Sequence, residues 1–596
     1  MNILVTLSAS LLVFFLGYRF YTGYIERLFN ASDKNPTPAV SMSDGKDYVA
    51  GKTVVVFSHH FAAIAGGGPI VGPIVAAIYG IIPAWLWILV GSVFFGAVHD
   101  FTSLFVSMRE RGKSMPEITG RTMGKAPSIL FILFTIALLF LLTSAFLGIT
   151  ATALSSLISL KDLKFDGTQA FLKTVTSPDG VIMGHIGGVA STSVVITTIC
   201  APLIGYLLYK KGISSLTAVV MASSIAFLSV FIGISYPIII KDEVWMVLLS
   251  IYVFLAAATP IWFMLQPRGF INSFVLYGGL VMLVLGIVCV GFKGTDMAAP
   301  LVNIDMGIKK LGPMWPMLFI IIACGAISGF HSVVAGGTTS KNIPKETDAK
   351  LIGYGAMLLE AILAIIVLLA ISSGLLFKTY LNIVFPEVPG VRANPILAFS
   401  LAMGGILNQG LGIPIFVGVI YGMITLAGLL TTTLDTAVRL NRYLLEELWV
   451  CLLKNPPNIF RSYLFNTGVS VVFMFVLAYK SAFLSLWSIF GSANQLLAAL
   501  SLTAVSAWLI SRGKRAWFTL IPASFMMATT IASLIYLLKT KYIPECNFVL
   551  MVACFVLILL SIGLLLMGSK SIFGYLNGKR RLVFDPVLTA PKLPHR

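Results

Sequence analysis

Apolar runs follow one another along almost the whole chain, separated by short polar links. Most have about the twenty residues that a helix needs to cross a bilayer core of about 30 Å. Fifteen runs read as crossings: residues 2–18, 54–81, 84–107, 128–156, 188–209, 214–239, 244–265, 270–291, 314–337, 351–376, 395–432, 462–479, 482–510, 516–538 and 547–568. The run 395–432 is too long for one simple span and contains the breaker Asn408-Gln409-Gly410, so it is a re-entrant hairpin plus a span, or three crossings. The pattern predicts an all-α polytopic membrane protein with about 15–18 transmembrane helices and no sizeable soluble domain.

Composition agrees. Of 596 residues, 58% are hydrophobic and 11% charged, which leaves too little polar surface to cover a soluble globule. A formal charge of +18 would suggest nucleic acid as the partner of a soluble protein. In a membrane protein the distribution of basic residues between loops carries the information instead, and no nucleic-acid partner is expected. With the N-terminus outside, 29 of the 41 lysines and arginines fall in inner segments, which predicts an outer N-terminus and a cytoplasmic C-terminus. Residues 2–18 lack a basic leader and an A-x-A cleavage site, so they read as a retained first span. The six cysteines (200, 289, 324, 451, 546 and 554) include no CxxC pair and read as core thiols. The one Gly-Lys-Thr, at 51–53, has its upstream Gly45 one residue further away than a phosphate loop allows. An ATP motor is thereby excluded, and transport would draw on an ion gradient.

Two stretches break the pattern from within. In the second crossing, His59-His60-Phe61 leads to Ala65-Gly66-Gly67-Gly68-Pro69, with Gly72-Pro73 beyond; in the ninth, Phe330-His331 leads to Ala335-Gly336-Gly337-Thr338-Thr339-Ser340. Glycine costs about 1 kcal/mol in a helix interior and proline about 3, so a regular helix is not expected at 66–69. Freed backbone groups cannot face lipid, and secondary transporters use such interruptions to present helix ends and carbonyls to substrate and ion. The rival reading is a kink filled by neighbouring side chains. The two stretches lie seven crossings apart, so the topology sets them antiparallel, as halves of an inverted repeat would be. Gly66, Gly67, Gly68, Gly336, Gly337 and Thr338 are the expected substrate-binding backbone.

Polar side chains at membrane depth demand a partner or a purpose. His59, His60, His99 and His331 fall within spans, His185 beside one, and Asp100 and Glu360 add carboxylates. Histidine titrates nearest physiological pH, so His59, His60, His99, Asp100, His331 and Glu360 are the expected proton-coupling residues. Hydrogen-bonded helix packing is the alternative for each. His59 and His60 point about 100° apart on a helix and cannot share one ion unless the break bends them. With no HExxH or paired CxxC, no metal and no cofactor is expected. Asn494-Gln495 is expected to contribute to substrate binding, and Thr431 to Thr433 with Asn408-Gln409 also lie in or beside apolar runs. Asp435 and Arg439, four apart, are expected to pair with each other. Arg109, Arg111 and Lys113 read as topogenic, or as an attraction for an anionic substrate.

The stretches FSHHFAAIAGGGPIVGPI, GAVHDFTSLFVSMRERGKSMPEI, PIWFMLQPRGFINSF, ACGAISGFHSVVAGGTTSK, YGAMLLEAILAI, TTTLDTAVRLNRYLLEE and SIFGSANQLLAAL closely resemble the carbon starvation protein A family, from about residue 50 to residue 520. The resemblance implies a bacterial inner-membrane carrier, induced when carbon runs short, that takes up peptides or pyruvate. It also implies a LeuT-type core of the amino acid, polyamine and organocation superfamily, with inverted five-helix repeats and substrate at two broken helices. The expected division is 1–50, first helix and cytoplasmic linker; 51–240, first repeat; 241–313, inserted helix pair and outer loop; 314–510, second repeat; 511–596, C-terminal helices and basic cytoplasmic tail. A seven-plus-seven inverted architecture fits the same spacing. Pyruvate, a small anion, suits helix N-termini at 66–68 and 336–338, whereas a peptide needs a larger cavity. The expected function is a proton symporter for short peptides or pyruvate, whose partners are substrate, proton and bilayer. A membrane-embedded nutrient sensor without net transport is the alternative, and a membrane metalloenzyme the third reading.

Overall fold

In a bilayer every backbone polar group must be satisfied internally, and the apolar runs do so as helices in the computed structural model of the chain. The structure describes residues 2–44, 48–165, 172–177, 180–260, 263–388, 391–453 and 455–578. Residues 579–596, most of the expected basic tail, lie outside it, as do Ile261 and Trp262 of one family-like stretch.

By length and composition, twelve described helices can cross a membrane, and the pair Thr53–Ile64 and Gly68–Tyr79, bent by 47°, makes a thirteenth span. Fewer helices than the expected fifteen to eighteen meet that length and composition, for physical reasons that differ along the chain. The run 244–265 gives Asp242–Ala258, a helix of 17 residues with two carboxylates in its first turn. The run 314–337 is cut into Met314–Ile321, Ala323–Ala326 and Phe330–Gly337. The run 395–432 splits into Pro395–Leu411 and the start of the 38-residue Ile415–Leu452. Its turn falls at 412–414, where Gly412 takes a φ of 72° and Pro414 opens the next helix. Asn408-Gln409-Gly410, read as the breaker, stays helical.

Both ends of Pro395–Leu411 meet the loop that follows Leu154. Asn394 Nδ2 donates to Ser156 Oγ at 2.6 Å, and Lys164 Nζ donates to Asn408 Oδ1 at 3.4 Å. The helix therefore enters and leaves at one end of the bundle, and Ile415–Leu452 makes the traverse. A Cβ on Gly405 would collide with the Gly374 carbonyl, so glycines set how closely this helix approaches Lys350–Gly374. At the same end, strands Ile158–Ser159, Thr174–Thr176 and Ile182–Gly184 form a small antiparallel sheet, with the third strand between the other two.

Helices Lys350–Gly374 and Phe483–Ser511 are buried along most of their length, whereas Thr217–Ser235 and Phe548–Leu576 turn Phe227, Phe231, Phe555 and Leu566 outward. Lipid tails are as apolar as these side chains, so the outer helices keep apolar surface exposed and the polar side chains concentrate inside.

Candidate functional site

The first broken span stops helically at Ile64. Pro69 has no N–H, and its ring would clash with the carbonyl four residues back, so the helix cannot run on from Ala65. Ala65 takes φ −75° and ψ 63°, Gly66 N–H turns back to the Ile64 carbonyl at 2.8 Å, and the helix restarts at Gly68 with proline in its first turn. The expected break is present but falls at 65–67, since Gly68 and Pro69 of the expected 66–69 already open the next helix. Gly66 lies 3.4 Å, counted from an added Cβ, from the Thr433 side chain; Gly67 is pressed against Leu430 and Phe146, and Gly68 against Cys324.

Cys324 belongs to the second broken span, so the two interruptions meet. The second break lies earlier than expected. Ile327 is extended at φ −164° and ψ 128°, and the chain becomes helical again at Phe330, so the interruption is 327–329. Gly336 and Gly337 instead close the helix Phe330–Gly337, with Thr338 beyond it. Tertiary contact explains the shift. Asn494, on Phe483–Ser511, accepts the Phe330 N–H on Oδ1 at 3.1 Å, donates from Nδ2 to Cys324 Sγ at 3.1 Å, and accepts the Gly329 N–H on its backbone carbonyl at 3.1 Å. An amide from another helix thus caps the resumed helix, as a local cap residue would. A Cβ on Gly329 would stand 2.5 Å from the Asn494 carbonyl oxygen, so glycine is required there.

Two residues after this break, at His331, four of the expected proton-coupling residues come together. His331 Nδ1 lies 2.7 Å from Asp100 Oδ2, His99 Nδ1 lies 2.7 Å from Asp100 Oδ1, and His331 Nε2 lies 3.2 Å from Glu360 Oε2. All four are at most 1% exposed. Neither Glu360 oxygen makes a hydrogen bond of good geometry, and His99 Nε2 has no partner among the described residues. His60 and His59 make no hydrogen bond or ion pair with this group among the described residues. His60 is buried and its Nδ1 lies 2.8 Å from Thr339 Oγ1, while His59 faces outward, as the angle between neighbours on a helix requires.

The other expected site residues scatter. Asn494 spends its amide on the second break. Gln495 is wholly buried, and neither of its amide atoms has a partner among the described residues. Gly336 packs on Ser114 and Lys113, whereas Gly337 and Thr338 are exposed, with nothing within 4 Å of a Cβ added at Gly337. Asp435 does not pair with Arg439. It holds buried Arg268 at 2.9 Å and accepts the Tyr252 hydroxyl at 2.6 Å, while Arg439 and Arg442 donate to carbonyls at the end of Asp242–Ala258. Cys324, Ser328 and Thr339 are site residues that sequence reading missed; small and neutral, they carry no signal until the fold brings them to the breaks.

The two ends of the bundle differ. At the Leu154 end, a cavity of about 450 Å³ is lined by Gly148, Thr152, Lys310, Arg392, Lys480 and Phe483. Its wall includes the helix whose Phe146 touches Gly67. At the opposite end, the link 338–350 is tied down on several sides. Glu346 accepts from the Ser32 amide at 2.8 Å, from Asn35 at 2.9 Å and from Arg109. Thr53 donates to Asp348 at 2.9 Å, and Ser107 donates to Ser340 at 2.9 Å. Thr347 donates to Asp33 through hydroxyl and amide, which holds that carboxyl below the usual carboxylate range.

Comparison with known proteins returns the family described as carbon starvation protein CstA, matched over residues 2–388 and 376–533. The peptide transporter CstA of Bacillus subtilis (strain 168) is 30% identical over 590 residues, covering 91% of this chain and 92% of that one. The pyruvate/proton symporter BtsT of Escherichia coli (strain K12) is 32% identical over 607 residues, covering 88% and 80%. The peptide transporter CstA of the same Escherichia coli strain is 30% identical over 594 residues, covering 89% and 80%. Among solved structures, MhsT in complex with L-phenylalanine covers 87% of this chain and all of its own at 14% identity, with a TM-score of 0.46.

Proposed function

The chain belongs to the carbon starvation protein CstA family, and from that premise we propose that it imports short peptides or pyruvate by proton symport across the bacterial inner membrane. Membership in a family whose curated relatives are transporters, with a multi-pass membrane fold, makes the chain a secondary transporter and not an enzyme. Peptide and pyruvate come from the names of those relatives; the proton comes from one of them and from the buried histidine–carboxylate group.

One observation carries the reading: the two interrupted spans meet at Gly68 and Cys324, and the second break leads directly into His331, which faces two buried carboxylates. Backbone freed at 65–67 and 327–329 would present substrate-binding groups, as broken helices in transporters do, with Gly66 to Gly68 and Gln495 at the site. A two-repeat core over 51–240 and 314–510, with the helices between as an insertion, is the arrangement this reading favours. The basic residues of the loops favour the cytoplasm as the side of the Glu346 end. The chain would then stand closed inside and open outside, through the cavity at the Leu154 end. Substrate and proton would bias the gates by binding the two states with different affinity.

The test is uptake by purified protein in proteoliposomes under an imposed pH gradient, with pyruvate and dipeptides compared. Accumulation of one of them that rises with the inward proton gradient is expected; accumulation indifferent to the gradient would remove proton coupling.

A further inference from the structure

The buried group is unequal in a way that singles out one carboxylate. Asp100 is occupied on both oxygens, by His99 Nδ1 and by His331 Nδ1, each at 2.7 Å. With both imidazoles donating, Asp100 is held as an ionised acceptor, and protonating it would break one of two short bonds. Glu360 has no such support. Its nearest partner is His331 Nε2 at 3.2 Å, and neither oxygen is satisfied. The titratable groups acting on it are His331 and Asp100, and its own charge acts on the Cys324 thiol; no lysine or arginine is among them.

Charge balance then sets the occupancy. Take Asp100 ionised and His99 neutral. One proton shared between His331 Nε2 and Glu360 leaves the group at a net charge of −1, whichever of the two holds it. A second proton gives imidazolium and carboxylic acid, for a net charge of zero. At no more than 1% exposure, a net charge without a counter-ion is strongly disfavoured, so the occluded group takes up that second proton.

Resting on the symport reading above, we propose that Glu360 is the single exchangeable proton site of the transport cycle, while Asp100 and His99 are fixed counter-groups that hold His331 as imidazolium. The proton comes from water on the side to which the site opens, forms an O–H bond on a Glu360 oxygen, and leaves to water on the other side as the carboxylate is restored. His331 follows the break at 327–329 by two residues, and Glu360 lies on the helix Lys350–Gly374. An ionised Glu360 therefore straps the broken span to that helix, and protonation slackens the strap. Proton loading is thereby linked to movement of the interrupted helix.

The experiment uses the full chain in proteoliposomes, with radiolabelled pyruvate and dialanine as probes. Glu360→Gln is expected to lose gradient-driven accumulation at least tenfold while still exchanging labelled for unlabelled probe across the membrane; Glu360→Asp is expected to keep slowed, gradient-driven uptake. A Gln variant that accumulates probe under the gradient as the parent does overturns the assignment to Glu360 and leaves symport standing. A parent protein indifferent to the gradient overturns both. Should the Gln variant not fold, the parent alone decides: a pH electrode in a weakly buffered proteoliposome suspension should read one proton entering the vesicles per probe molecule accumulated. None, or two, overturns the single-site proposal.

Discussion

His331 stands between two carboxylates brought from different helices, with Asp100 Oδ2 2.7 Å from its Nδ1 and Glu360 Oε2 3.2 Å from its Nε2. Its imidazole lies against both of them, so His331→Ala leaves Asp100 buried without its counter-charge and Glu360 without its neighbour. Breaking a buried pair in this way costs about 3–5 kcal/mol, and uptake should be abolished. Thermal unfolding in detergent measures the first effect; an unchanged unfolding midpoint would rule out the counter-charge role.

Gly67 and Gly337, which look alike in sequence, should behave differently. A Cβ on Gly67 runs into the Leu430 side chain and stands 3.4 Å from Phe146, while one on Gly337 meets nothing within 4 Å. Gly67→Leu is expected to abolish uptake while the protein still reaches the membrane, and Gly337→Ala to keep near-parental uptake. Equal losses in the two variants, compared at matched expression, would show that packing at the first break is not what limits transport.

Asn494 and Gln495 offer a second contrast. Asn494→Ala frees the Phe330 amide that its side chain holds and should destabilise the protein by about 1–3 kcal/mol. Gln495→Leu removes an amide that has no partner among the described residues, so stability should hold or rise slightly. If Gln495 serves substrate, the Leu variant nonetheless loses affinity, visible as a raised half-saturation concentration for uptake. Full uptake at low substrate concentration would make it a packing residue.

The buried pair of Arg268 and Asp435 should be costly to halve and cheap to replace. Asp435→Asn leaves a guanidinium at 1% exposure facing a neutral amide and should destabilise by several kcal/mol, on the order of 3. Changing both residues to apolar ones, as in Arg268→Met with Asp435→Leu, should recover most of that loss. A double-mutant cycle on thermal stability checks it, and additive losses would mean that the two side chains do not depend on each other.

Features that depend on neighbouring residues were legible along the chain. Apolar length gave a many-helix membrane protein, because a bilayer accepts few other structures. Gly66-Gly67-Gly68-Pro69 placed the first break, because proline and glycine act through their own backbone. The 100° step between adjacent residues separated buried His60 from exposed His59. Tertiary structure decided what depends on distant partners. The second break sits at 327–329 because Asn494, more than 160 residues away, caps the helix that resumes there. Asp100 meets His331 across 231 positions, and Asp435 takes Arg268 across 167 in place of Arg439 four residues along its own helix. Helical periodicity fixes the face on which a side chain lies, but packing chooses the face opposite it, and that choice turned scattered polar residues into one buried group.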